Sequence, residues 1–126
     1  MERFAFHRDD STGILRVTTH GCWTEDDGRS FALAFRKEFG AARTSWGVVR
    51  VLLDGRDTEG QPPAVNRHYR KVISNSLMDP DDRLAIVACN SMIKLETYRA
   101  ITTSKIQAFL SMNAAETWLR AHQWGS

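Results

Sequence analysis

Val48-Val49-Arg50-Val51-Leu52-Leu53, followed at once by Asp54-Gly55-Arg56-Asp57, is the stretch that decides the fold. Its β-branched valines favour extended backbone. Only Arg50 interrupts the apolar run, and a near-continuous apolar strand suits a position covered on both faces. Such strands belong to parallel sheets flanked by helices. The polar residues Asp54 to Asp57 read as a turn at the strand's C-terminal end.

The same kind of segment recurs on either side. Ile14-Leu15-Arg16-Val17-Thr18-Thr19, Arg83-Leu84-Ala85-Ile86-Val87-Ala88-Cys89 and Ile106-Gln107-Ala108-Phe109-Leu110 are three further strands. Phe4-Ala5-Phe6-His7-Arg8 alternates apolar and polar, as a half-exposed strand does. Asp9 to Gly13 supplies turn formers between it and Ile14, so the two segments read as a hairpin at a sheet edge.

Helical segments fill the intervals. Thr24 is an N-cap, and Glu25, Asp26 and Asp27 place negative charge in the first turn, where the helix dipole favours it. Phe31, Phe35 and Phe39, with Ala32 and Ala42, form one apolar stripe, and Gly40 falls near the expected end. Thr58 to Pro63 reads as a loop whose two prolines open a second helix at about Ala64. Val65, Tyr69, Val72, Ile73 and Leu77 are its buried stripe, and Met78 to Asp82 closes it. Asn90 or Ser91 caps a third helix, with Met92, Leu95, Tyr98 and Arg99 on or near one side. Asn113-Ala114-Ala115-Glu116 has the pattern of a capping box with Asn113 as the cap. Trp118 and Leu119 then anchor a fourth helix. The alternation predicts one α/β domain over residues 1–126. Its sheet is mixed and five-stranded, mostly parallel with an N-terminal hairpin, and it carries four helices.

Composition narrows the function. A chain of 126 residues with 42% hydrophobic and 25% charged residues is ordinary for one globular domain. The net charge of +2 forces no acidic partner, and nucleic-acid binding is not expected without a dominant basic face. No segment approaches the length of a membrane span, and Met1-Glu2-Arg3-Phe4 does not open a signal peptide. Cys22 and Cys89 lie far apart and form no CxxC, so they read as reduced, core or near-core thiols of a cytoplasmic protein.

The order of these segments resembles the STAS domains, and in particular their SpoIIAA-like branch. The resemblance runs through Gly13-Ile14-Leu15-Arg16-Val17, Gly21-Cys22-Trp23-Thr24, Leu52-Leu53-Asp54, Asp82-Arg83-Leu84-Ala85-Ile86-Val87 and Ala114-Ala115-Glu116-Thr117-Trp118-Leu119. It implies a four-helix, five-strand fold without catalytic machinery, working by binding a protein partner or, in some members, a nucleotide or apolar ligand. In the antagonist branch a serine at the start of the second helix is phosphorylated. Here that region reads Glu59-Gly60-Gln61-Pro62-Pro63-Ala64-Val65, with neither serine nor threonine, and Thr58 lies too early to match. The phosphorylation switch is therefore not expected.

Candidate chemistry follows from position. Asp54, Arg56 and Asp57 stand where ligands bind in open α/β sheets, outside the carboxyl ends of the strands. They are either the rim of a binding crevice or a polar turn in which Asp54 bonds local backbone. Asn90, Ser91 and Met92 begin the third helix, where free N–H groups suit an anion, or form a plain N-cap. No GxGxxG or GxxxxGK[ST] accompanies them. His7, His20, His68 and His122 lack metal-ligand spacing. Cys89 is a buried structural thiol, or, in an alternative reading, either it or a histidine serves a small cytosolic hydrolase or transferase. Arg67, His68, Arg70 and Lys71 make a basic patch that is a solvated helix face or meets an acidic partner. Of the tryptophans, Trp124 is the one expected to be exposed.

The expectation is a non-enzymatic binding module. Asp54, Arg56, Asp57, Asn90, Ser91 and Met92 contact a protein or a small apolar or anionic ligand. No catalytic residue, metal or cofactor is expected. Self-association as a homodimer is a further alternative.

Overall fold

The computed structural model describes residues 3–58, 63–100 and 103–121. The elements run β1 (Phe4–Asp9), β2 (Ile14–His20), α1 (Glu25–Trp46), β3 (Arg50–Asp57), α2 (Pro63–Ser76), β4 (Arg83–Ala88), α3 (Ser91–Ala100), β5 (Ile106–Phe109) and α4 (Met112–Ala121). The strands form one sheet in sequence order, β1-β2-β3-β4-β5. β1 and β2 are antiparallel, and every other pairing is parallel. The expected mixed sheet with four helices is the architecture found.

Strand periodicity sorts the side chains into two cores. Leu15, Val17, Val49, Val51, Leu53 and Leu84 pack with the stripes of α1 and α2. Ile14, Leu52, Ala85 and Val87 point the other way and pack under Ala115 and Leu119 of α4. Burying each large apolar side chain is worth about 1.5–3 kcal/mol. The first core is dominated by rings: Trp23 and Phe31 have centroids 5.0 Å apart, and Phe6 stacks on Phe31 at 5.7 Å. Arg50, the one charge in the deciding run, is also buried, and that burial draws its guanidinium below its ordinary value.

Local signals explain most boundaries. Thr24 and Asp27 exchange hydrogen bonds in a capping box that starts α1. Gly40, expected near the end of this helix, sits inside it, and the helix runs on to Trp46. It stops at Gly47, whose φ of 78° is costly for any residue with a Cβ. At α4 the cap is Ser111 and not Asn113, because the Ser111 hydroxyl accepts from the Ala114 N–H at 3.3 Å. Glu116 does not close a box there. It accepts from Arg16 Nη1 at 2.9 Å and fastens α4 to β2.

The cysteine expectation needs one correction. Cys22 is exposed, because it follows the turn at Gly21 while its neighbour Trp23 takes the inward position. Cys89 is half-buried. Val65, Val72, Ile73 and Leu77 are buried as expected. The Tyr69 and His68 side chains, residues 59–62, His122 and Trp124 lie outside the described residues.

Candidate functional site

The residues Asp54 to Asp57 do not form a turn. They continue β3 to its end. Backbone pairing is the reason: Gly55 pairs with Ala88 of β4, and Asp57 pairs with His20 of β2 across a register shift between Thr18 and His20. β3 therefore outruns β4 by two residues, Arg56 and Asp57, and forms a ledge at the C-terminal edge of the sheet. Gly55 permits the close pairing. A Cβ there would stand 3.2 Å from the Val87 carbonyl oxygen.

Asp54 and Arg56 are two residues apart on one strand, so they share a face. Thr18 and Val87 are the register partners of Asp54 on that face, which is the one α4 covers further down. Arg56 donates from Nε to Asp54 Oδ1 and from Nη2 to Asp54 Oδ2, both at 2.9 Å, and its N–H reaches Oδ1 at 3.2 Å. This fork geometry is the strong form of a carboxylate pair. The Arg56 hydrogen bonds hold the Asp54 carboxyl below its ordinary value, against the opposing effect of burial. The Asp54 side chain is 18% exposed and that of Arg56 53%, so the pair presents a guanidinium face to solvent over a shielded carboxylate.

The opposite side of the ledge is held by hydroxyls. Thr19 Oγ1 and Thr58 Oγ1 are 2.8 Å apart, and the Thr19 hydroxyl lies 3.4 Å from the Asp54 carbonyl oxygen. The Gly21 N–H donates to the Asp57 carbonyl at 3.0 Å, and the Thr58 N–H to that of Gly55 at 3.1 Å. His20 Nδ1 stands 3.5 Å from Asp57 Oδ2, an ion pair when the imidazole is protonated. Thr19, His20 and Thr58 thus join the site without any spacing signal in the sequence. The clue was topological: a strand ending in His20-Gly21 must finish beside its parallel neighbour's end.

Asn90, Ser91 and Met92 follow β4 at the same edge, as the Gly55–Ala88 pairing requires. The Asn90 side chain is committed locally. Its Oδ1 caps α3 by accepting from the Ile93 N–H at 2.9 Å, and its Nδ2 lies 3.4 Å from Cys89 Sγ. Ser91 and Met92 are exposed. Among the described residues, no hydrogen bond or ion pair joins this group to Asp54, Arg56 or Asp57. The sheet brings the two groups to one edge, but it does not fuse them into one network. Among the described residues, no three His, Cys, Asp or Glu side chains gather as metal ligands do.

No protein-family model matches the chain. No curated protein matches it either. Among solved structures it is similar to an uncharacterised protein of the DUF3478 family with a SpoIIAA-like fold, from Shewanella loihica PV-4. The TM-score is 0.67 at 16% sequence identity, and the likeness covers 94% of this chain and 95% of that one. At that identity the fold is what the likeness shows. The chain has the SpoIIAA-like fold that the order of its segments led one to expect.

Proposed function

We propose that this domain is a non-enzymatic binding module whose contact surface is the C-terminal edge of the sheet. One observation carries the reading. β3 extends past β4, with Asp57 paired to His20 of β2 and the Arg56 side chain forked onto Asp54, so both residues are held in place before any partner arrives. Preorganised groups lose little freedom on binding, and more of their interaction energy appears as affinity. Arg56 is the main contact, Asp54 fixes its orientation, and Asp57 with His20 supplies a second polar point. Ser91 and Met92 extend the surface on the neighbouring loop, with Asn90 holding the start of α3.

The partner is a protein, or a small apolar or anionic ligand seated on the same edge. The free thiols of Cys22 and Cys89 support a reducing compartment, the cytoplasm. No described helix is long and apolar enough to cross a membrane. The domain carries out no chemistry of its own in this reading.

The test is partner capture by the purified wild-type domain and by Asp54→Ala and Arg56→Ala. Both variants should fold with unchanged circular dichroism and lose specific partners recovered by the wild type. Activity profiling beside Cys89→Ser addresses the enzymatic alternative. A turnover that disappears with Cys89→Ser would replace the binding reading.

A further inference from the structure

The outer surface of α1 and α2 is a second charged region, on different elements from the ledge residues. From Gly28 to Trp46, α1 carries Arg29, Arg36, Lys37 and Arg43 against Glu38 alone. α2 carries Arg67, Arg70 and Lys71 and no acidic residue. Two of these cations are neutralised internally: Arg29 by Asp26 and Arg43 by the buried Asp82. Arg36, Lys37, Arg67, Arg70 and Lys71 are all exposed. Among the described residues, Arg36, Lys37, Arg67 and Lys71 meet no acidic partner. Over its full length α1 balances its four basic residues with Glu25, Asp26, Asp27 and Glu38, so the excess positive charge comes from α2, and on α1 the acidic residues gather in the first turn.

The two helices present these groups together. Gly28 lies against Val65, since a Cβ there would sit 3.6 Å from its side chain, and Arg43 Nη2 reaches the Ser76 carbonyl at 3.5 Å. Arg36 falls between those two contacts on the same ridge of α1, so it borders α2. Arg67, Arg70 and Lys71 are three and four residues apart and therefore neighbours on α2. Like charges at that spacing destabilise a free helix, and an anionic partner relieves the cost. Leu33, 68% exposed, lies three and four residues before Arg36 and Lys37 on the same outer surface.

We infer that this face docks an acidic segment of a partner protein, with Leu33 as its apolar contact. Among the described residues, two of the four cations without an acidic partner are arginines, Arg36 and Arg67, whose fork matches carboxylates in pairs. An anionic bilayer fits less well, because the buried stripes of both helices are spent on the core and, among the described side chains of α1 and α2, Leu33 is the large apolar one left exposed to insert. A single-stranded nucleic acid fits less well too. Among the described side chains of α1 and α2, no aromatic ring is exposed for a base to stack on.

The experiment measures fluorescence anisotropy of a fluorescein-labelled peptide of glutamate and alanine with one central leucine. The full chain is compared with Arg67→Glu/Lys71→Glu, the milder Arg67→Gln/Lys71→Gln, and Asp54→Ala. Wild type should bind the peptide in a salt-dependent manner and ignore the same peptide with glutamine in place of glutamate. The reversal should weaken binding by about tenfold or more, and the neutral pair by less. Asp54→Ala should bind as wild type does, which separates this surface from the ledge. Equal binding of the glutamine peptide, an unchanged affinity after reversal, or loss of binding with Asp54→Ala would each overturn the inference. So would association only with phosphatidylserine vesicles or with single-stranded oligonucleotide.

Discussion

The two ends of the sheet use the same chemical pair for opposite purposes. At the end where the parallel strands begin, Asp82 is completely buried, and its carboxylate receives four donors. Arg43 gives Nη1 to Oδ1 at 2.9 Å and Nη2 to Oδ2 at 2.6 Å, while the N–H groups of Val49 and Asp79 come within 2.9 and 3.0 Å. The same guanidinium reaches the carbonyls of Gly47 and Ser76, so one ion pair ties the last turns of α1 and α2 to the starts of β3 and β4. At the other end, Asp54 and Arg56 are also a forked pair, yet both come from one strand and cross-link nothing. A pair that spans four elements holds the fold. A pair confined to two residues of one strand shapes a surface and leaves the fold nearly indifferent to it.

Mutation should separate the ends sharply. Asp82→Ala leaves the half-exposed Arg43 guanidinium and two backbone N–H groups without their acceptor. Each buried donor left unsatisfied costs about 1–3 kcal/mol, and urea titration should show the largest loss of the series. A smaller cost belongs to the close backbone approach beneath the ledge. Gly55→Val forces branched carbons against the Val87 carbonyl and should destabilise by about 1–3 kcal/mol, the usual range for overpacking. Asp54→Ala and Arg56→Ala should come next on the stability scale, with midpoints near wild type. Should either unfold the domain as Asp82→Ala does, the two ends would not differ in kind.

The smallest effect is a pH dependence. The folded Asp54 carboxyl lies below its ordinary value of 3.8, chiefly through the hydrogen bonds from Arg56. A depressed carboxyl contributes stability that is complete above the ordinary value and is lost as the pH falls through the lowered folded one. The stability difference between wild type and Asp54→Ala should therefore be constant near neutrality and shrink at acid pH below 3.8. Urea midpoints at pH steps through that range provide the check. A difference that grows on acidification would reverse the sign argued here.

Much of the architecture was legible in the sequence because strand and helix periods are local properties. The apolar runs, Thr24 and the Phe31-Phe35-Phe39 stripe each announce an element without reference to anything distant. The ends of elements were less legible where tertiary contacts decide them. Asp54 to Asp57 look like a turn by composition, but pairing with β2 and β4 keeps them extended. Asn113 and Glu116 spell a capping box, but Glu116 is taken by Arg16. The candidate site was proposed from the sequence through Asp54, Arg56 and Asp57. Thr19, His20 and Thr58 were not, because only strand register brings them to the same edge. The Asp82 keystone was equally hidden. Nothing in Met78-Asp79-Pro80-Asp81-Asp82 distinguishes the one aspartate that is buried from its exposed or half-buried neighbours.

The most direct measurement is the affinity of a recovered partner for wild type, Asp54→Ala and Arg56→Ala, with a melting curve for each protein. The ledge account predicts closely similar melting curves and an affinity at least about tenfold weaker in Arg56→Ala. Unchanged affinity in both folded variants would contradict it and move the contact surface elsewhere on the molecule.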